Sequence, residues 1–453
     1  MFYRVFRAYV RFVLRVFFRS FDVSGEEHVP RQGPLLVVAN HVNGLVDPLI
    51  AMVALERRVT LTAKNTLQKN PLLALLIWGL DIVLFHRAQD RGKGAELREN
   101  ARSMARCQEI LGAGGAVLLF PEGESHSDPG MRPFKPGAAR IAAEWARRHP
   151  RGPALTVVPA GLYFTRKDRF RSGVALRFGP PLALASPTGA ESRMGEAVRG
   201  VSDAAERAIK ALALNLETEA QSQTLSWAAE ILLARSKGPR LPGELVATAQ
   251  DELDVKKALF DGWMALRARE AATVAALEAR IAAHRERLRS LRIDPAEARV
   301  EYTPARSALF VLRELEIAVV GAPWALLGAA GNALPYLAVD GIARLLSRDL
   351  DHWASHKIYP SLLVYPIFYL GEAAAVGALA GPLWAAGFLA AAPFAGLYAQ
   401  LYRERMRDAA RRARTFLALC RRPSEKAALV AEGDAIAAEI ERLGRSLAGA
   451  REA

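Results

Sequence analysis

Cysteine is nearly missing from this chain. Two among 453 residues, Cys107 and Cys420, cannot build a disulfide framework, and with no CxxC pair they cannot form a structural zinc site. The scarcity fits a reducing compartment. Acidic residues are absent from the first twenty positions, which carry five arginines. Charge is absent from the 21 residues of Ile317–Leu337, and Glu372 is the single charge in the 44 residues of Tyr359–Tyr402. The first stretch is long enough for one bilayer span; the second, broken by Gly381-Pro382, is long enough for a helical hairpin.

Composition excludes wholesale disorder, because 51% of residues are hydrophobic and 24% charged, enough for a large core with apolar surface to spare. Lysine and arginine total 61 against 47 acids, a net charge of +14. Such an excess suits an anionic partner: nucleic acid, acidic lipid headgroups or a phosphorylated substrate. The arginines gather at the two membrane-proximal ends and not along one groove-reading face, so no nucleic-acid partner is expected.

Residues 1–20 read as an amphipathic helix for a membrane interface. Arg4, Arg7, Arg11, Arg15 and Arg19 recur every three or four positions, within an arc of roughly 120°. Phe2, Val5, Phe6, Val10, Phe12, Val13, Leu14, Val16, Phe17 and Phe18 fill the rest. No charge-free run there could cross a bilayer, and no small-residue cleavage site follows, so the segment is neither a span nor a signal peptide. The competing reading is a surface helix packed on the next domain. From about residue 21 to 185, within a domain read as residues 21–215, short apolar runs alternate with helical stretches. Pro34–Ala39, Gly115–Phe120, Leu155–Pro159 and Val174–Phe178 read as strands, Asn100–Leu111 and Ala138–Arg148 as helices, which predicts an α/β domain. Residues 216–304 read as a helical, partly coiled region, 305–402 as membrane-embedded helices, and 403–453 as a basic, then helical, cytoplasmic tail. Residues 403–426 hold nine basic residues against three acids, which puts that flank in the cytoplasm by the positive-inside rule. Three spans would separate the two flanks, so one apolar segment is expected to be re-entrant or interfacial, and the number of crossings stays open.

Chemistry is concentrated in two strand ends. Val37-Val38-Ala39-Asn40-His41 closes a strand, with Asp47-Pro48 six residues past the histidine. Asp47 as N-cap and Pro48 at the first helical position would start a helix there, leaving His41 in a strand-to-helix turn, where a carboxylate can fix an imidazole as general base. Alternatively, Asp47 only caps the helix. The second strand runs into Pro121-Glu122-Gly123-Glu124-Ser125-His126, which puts Glu122 at the sheet's carboxyl edge.

Asn40-His41…Asp47 together with Phe120-Pro121-Glu122-Gly123 resembles the phospholipid/glycerol acyltransferase family, which includes glycerol-3-phosphate and lysophosphatidate acyltransferases. The likeness covers roughly residues 20–215, adding Val83-Leu84-Phe85-His86-Arg87 and Val157-Val158-Pro159-Ala160-Gly161-Leu162, the latter with its proline at a strand end. Five residues separate His41 from Asp47 where the commonest family pattern has four. With Asn43 two places after the histidine, this is similar to the branch that includes dual-specificity glycerol-3-phosphate/dihydroxyacetone-phosphate enzymes.

The resemblance implies a glycerol-3-phosphate acyltransferase-like central sheet flanked by helices, and acyl transfer from acyl-CoA or acyl carrier protein to glycerol 3-phosphate or its 1-acyl product. Dihydroxyacetone phosphate, another lysophospholipid, or an inactive membrane scaffold are the alternatives. His41 is then the base oriented by Asp47, with Arg87, Glu122, Gly123, Lys135 and Asn43 on the substrate. Arg87 and Lys135 would meet the acceptor phosphate, and Glu122 would bond acceptor hydroxyls or orient the base. No cofactor or metal is implied; Asp349, Asp351, His352 and His356 form only a juxtamembrane cluster. The product is a lipid and the donor cytoplasmic, so an integral membrane protein with a cytoplasm-facing site is expected. A serine nucleophile elbow fails at Ser127, where the second glycine is required.

Overall fold

The computed structural model describes residues 1–69, 71–86, 93–126, 128–167, 169–183, 191–236, 247–291, 293, 298–300, 304–346, 353–420 and 422–452. The chain divides into two units, Met1–Glu217 with Ser347–Ile358, and Thr218–Leu346 with Tyr359–Ala453.

The first unit is α/β. Its five-stranded sheet has the order β1 (Ser20–Ser24), β7 (Gly173–Phe178), β6 (Thr156–Phe164), β2 (Leu35–Ala39), β5 (Ala116–Leu119). β2 is parallel to both β5 and β6, while β7 turns antiparallel to β6 and carries β1 parallel to itself. A small parallel pair, β3 (Thr62–Lys64) with β4 (Val83–Phe85), extends the β5 edge through a Thr60–Val117 bridge. Every residue of β2 and β5 is buried, as expected for parallel strands covered on both faces. On one face α4 (Lys93–Gly112), α5 (Gly137–Arg148) and α6 (Glu191–Leu212) deliver Cys107, Leu111, Ile141, Trp145 and Ile209 onto Leu36, Val38, Val117 and Val157. On the other, α2 (Val46–Ala54) lies against β7, and α1 (Phe2–Phe17) against α2 and α3 (Pro71–Leu80).

Two expectations change here. Pro159 does not end its strand: β6 runs on to Phe164, because β7 pairs with Ala160–Phe164 after β2 has stopped. Nor is α1 a purely interfacial helix. Phe6, Val10, Leu14 and Phe17 are buried against the unit, and full burial of a Val or Leu is worth about 1.5–3 kcal/mol. Two arginines of its basic stripe turn inward. Arg7 and Arg11 donate to the Val53 carbonyl at 3.1 and 3.2 Å, supplying cations to the carbonyl end of α2.

The second unit is helical throughout its described residues: α7 (Glu219–Ser236), α8 (Ala249–Arg267), α9 (Ala271–Ser290), α10 (Pro304–Gly331), α11 (Ala333–Leu346), α12 (Trp353–Ala380, most of it in this unit), α13 (Pro382–Cys420) and α14 (Pro423–Glu452). Among the described residues, two helices are long and apolar enough to cross a membrane, Lys357–Ala380 and Pro382–Leu419; α10 and α11 make a third candidate bent by 57° at their junction. The break expected at Gly381-Pro382 falls between α12 and α13, with Gly381 at φ +98°. The charge-free stretch Ile317–Leu337 is the one that breaks. Small residues let the apolar helices approach: a Cβ at Gly328 would stand 2.2 Å from the Ala395 carbonyl.

Burial pushes the Cys107 thiol up to about 12, so almost no thiolate exists near neutrality. Iodoacetamide at pH 8 should leave Cys107 unmodified in the folded protein and alkylate it after denaturation. Labelling of the folded form, read by peptide mass spectrometry, would contradict this packing.

Candidate active site

Strand register builds the site. Val38 on β2 stands beside Leu119 on β5, so His41 and Glu122, each three residues further on, leave the sheet at the same level of its carboxyl edge. There the His41 backbone N–H donates to Glu122 Oε1 at 2.7 Å. Its ring stacks on Phe120, with centroids 4.3 Å apart and planes 18° off parallel.

Asp47 is not an N-cap. α2 begins at Val46 with Leu45 in the capping position, and no side-chain cap bond is made. The carboxylate is engaged elsewhere: Asp47 Oδ2 lies 2.9 Å from His41 Nδ1 and accepts the Asn43 backbone N–H at 2.8 Å. A carboxylate oxygen accepts, so Nδ1 carries the hydrogen and Nε2 presents its lone pair. The Asp47 side chain is fully buried, whereas that of His41 keeps 16% exposure; of the two, the imidazole is the member a substrate can reach.

Glu122 is a buried hub, its side chain 0% exposed. Beyond the His41 N–H, its Oε2 accepts the Arg132 N–H at 2.9 Å and lies 2.6 Å from His126 Nε2. These contacts tie the Glu122 carboxylate to the main chain of His41 and Arg132 and to the His126 ring. Gly123 follows at φ +74°, a conformation that favours glycine. A Cβ there would lie 2.7 Å from Lys135 Nζ, so the exposed Lys135 side chain reaches over the turn and brings a cation to it.

Asn43 is buried, with its side-chain NH2 3.4 Å from the Lys167 carbonyl, and its Oδ1 has no partner among the described residues. Arg87 lies outside the described residues. Its neighbour His86 is held by Asn100, which accepts the His86 N–H at 2.8 Å and donates to the His86 carbonyl at 2.9 Å. Asp349, Asp351 and His352 also lie outside the described residues; among those described, no group of three or more His, Cys, Asp or Glu could hold a metal.

Three residues of the site escaped sequence reasoning. Asn40 continues the ladder past the end of β2, donating to the Leu162 carbonyl at 3.0 Å and accepting its N–H at 2.7 Å. A buried amide directly before the histidine was the available signal. His126 sits four residues after Glu122 inside the same motif, spacing that suits a local pair. Lys167 donates to the His126 carbonyl at 3.2 Å; nothing in sequence marks it, since it arrives from the end of β6.

Residues 20–163 match the family model described as Acyltransferase. An uncharacterized acyltransferase of Schizosaccharomyces pombe is 28% identical over 274 residues, 41% of this chain and 40% of that protein. Glycerol-3-phosphate O-acyltransferase 2 of Saccharomyces cerevisiae is 34% identical over 92 residues, 20% of this chain and 12% of its own length. The chain thus spans less than half of either relative. Among solved structures, the 1-acyl-sn-glycerophosphate acyltransferase of Thermotoga maritima is similar over 45% of this chain and 78% of that one, with 23% identity and a TM-score of 0.33.

The hub can be tested by Glu122→Gln. Whichever way the amide is turned, its NH2 faces either the His41 or the Arg132 backbone N–H, and one buried donor loses its acceptor. An unsatisfied buried group costs about 1–3 kcal/mol, so the thermal midpoint should fall measurably. An unchanged midpoint by differential scanning calorimetry would show that neither N–H depends on the second carboxylate oxygen.

Proposed function

With residues 20–163 forming a domain of the acyltransferase family, we propose that the protein moves a fatty acyl group from acyl-CoA or acyl carrier protein to glycerol 3-phosphate or 1-acylglycerol 3-phosphate. The observation that carries this reading is the 2.9 Å pairing of His41 Nδ1 with a fully buried Asp47. A glycerol hydroxyl is a weak nucleophile. His41 Nε2 takes its proton as the oxygen attacks the thioester carbonyl; the O–C bond forms, the C–S bond breaks, and the imidazolium returns the proton to the leaving thiolate. Asp47 fixes the tautomer and stabilises the imidazolium while it exists. No acyl-enzyme is needed, since the thioester is already activated.

Glu122 holds the main chain of the base and leaves the phosphate to cations. Lys135, over the Gly123 turn, is the described candidate, and Arg87 the second. The yeast relative named as a glycerol-3-phosphate acyltransferase supports glycerol 3-phosphate as an acceptor, and the five-residue spacing keeps dihydroxyacetone phosphate in the panel. The apolar helices that can cross a membrane and the basic flank after them support an integral membrane enzyme with its site on the cytoplasmic side.

Membranes containing the protein should acylate one of glycerol 3-phosphate, dihydroxyacetone phosphate or lysophosphatidate from a radiolabelled acyl donor. General-base removal by His41→Ala should cost about 10²–10⁴-fold in rate. Equal transfer by wild type and variant would sink the assignment. Loss of a charge-assisted bond worth about 1.5–3 kcal/mol means that Lys135→Ala should raise KM for the acceptor phosphate about tenfold or more, with KM for the donor unchanged.

A further inference from the structure

Two acids act on His41, and one residue touches the arms that lead to both. The first arm is short. Glu122 accepts the His41 main-chain N–H at 2.7 Å through Oε1, and its Oε2 lies 2.6 Å from His126 Nε2. A carboxylate oxygen accepts, so that nitrogen carries the hydrogen. The second arm starts at Asp47, which faces the His41 ring and accepts the Asn43 main-chain N–H at 2.8 Å. The Asn43 side-chain NH2 donates to the Lys167 carbonyl at 3.4 Å, and Lys167 Nζ donates to the His126 carbonyl at 3.2 Å. Both arms meet at His126. They close one ring of bonds through the end of β2, the turn into α2, the end of β6 and the loop after β5.

That loop, residues 120–136 between β5 and α5, contains neither helix nor strand among its described residues. Connections of this length without secondary structure are uncommon and usually functional. On its outer side Arg132 pairs with Asp128 and Glu124; all three are exposed, and such pairs contribute little. On its inner side the His126 ring is buried against the fully buried Glu122. Asp128 Oδ2 stands 3.4 Å from His126 Nδ1, yet Nδ1 has no hydrogen-bond partner among the described residues. The ring is therefore committed through Nε2, to Glu122. The two other donors to Glu122 described above are main-chain N–H groups, which a substitution leaves in place. His126 is the donor that the sequence chooses.

We propose that His126 is a positioning residue for acyl transfer. Its Nε2–H fixes the Glu122 carboxylate that grips the His41 main chain. Its carbonyl, through Lys167 and Asn43, braces the acid that faces the His41 ring. The proposal rests on the reading of His41 as general base. A base works only within hydrogen-bond reach of the proton it takes, and a misplacement of about 1 Å can cost about 10²-fold in rate. The role of His126 is felt in turnover and not in the binding of either substrate, because what it places is the base.

The test uses membranes containing the full chain, assayed with whichever of glycerol 3-phosphate, dihydroxyacetone phosphate or lysophosphatidate the wild type acylates fastest. His126→Ala should lower kcat about 10–10²-fold and leave KM for acceptor and donor unchanged. The amide nitrogen of glutamine reaches as far from the main chain as Nε2, and that of asparagine only as far as Nδ1. His126→Gln should therefore recover most of the lost kcat, and His126→Asn little of it. Wild-type kcat in His126→Ala, a loss confined to KM, or equal kcat in the Gln and Asn variants would each overturn the proposal. Where the alanine variant does not accumulate in membranes, the comparison of Gln with Asn decides alone. His41→Ala is measured beside them. Full activity in that variant sinks the acyl-transfer reading itself, whereas loss there with none in His126→Ala sinks this proposal and leaves that reading standing.

Discussion

One buried carboxylate organises the catalytic unit. Taking an ion out of water costs several kcal/mol, and only a full set of donors offsets it. Glu122 meets that demand with the His41 N–H, the Arg132 N–H and His126. The donors come from the end of β2, from the loop leading to α5, and from the Glu122 turn itself. Moving any of the three segments strands a charge, so the position of His41 along the sheet edge is over-determined. What Glu122 grips, moreover, is the main chain of that residue. The ring stays available to a second acid, Asp47, so that one carboxylate holds the His41 main chain and the other faces its Nδ1.

Much of this was legible because parallel strands advertise themselves. Runs such as Leu35–Ala39 and Ala116–Leu119 are apolar without alternation, and a strand buried on both faces reads that way. Once they are placed side by side, motif residues three beyond Val38 and Leu119 must meet, so the pairing of the two motifs follows from topology. Partner choice was harder to read. Asp before Pro suggests a cap with or without a nearby histidine, and only the fold of the Asn43–Val46 turn brings the carboxylate back to His41. Pro159 misled for a related reason: local propensity ends a strand there, but β7, distant in sequence, pairs with the residues that follow. Asn40 and Lys167 act through contacts 122 and 41 residues apart in sequence, to which no local pattern corresponds.

The N-terminal helix shows how one stretch of sequence can pack on a domain and still keep an apolar strip outside. A two-sided helical wheel forces a choice between membrane and domain. Sixteen residues of α1 instead present three strips, because the apolar arc is wider than a single contact needs: part of it closes the core against α2 and part remains outside. The five arginines divide likewise. Arg7 and Arg11 are drawn to the Val53 carbonyl because a helix end offers unsatisfied acceptors, and such ends are invisible to a count of charges.

That inward pair gives α1 a mechanical connection to the chemistry. α2 is nine residues long, about 13.5 Å, with the guanidinium groups of α1 at its carbonyl end and Asp47 in its first turn. A helix this short does not bend appreciably. With α1 packed on α2, a displacement of the N-terminal helix is therefore carried to Asp47, whose carboxylate lies 2.9 Å from His41 Nδ1.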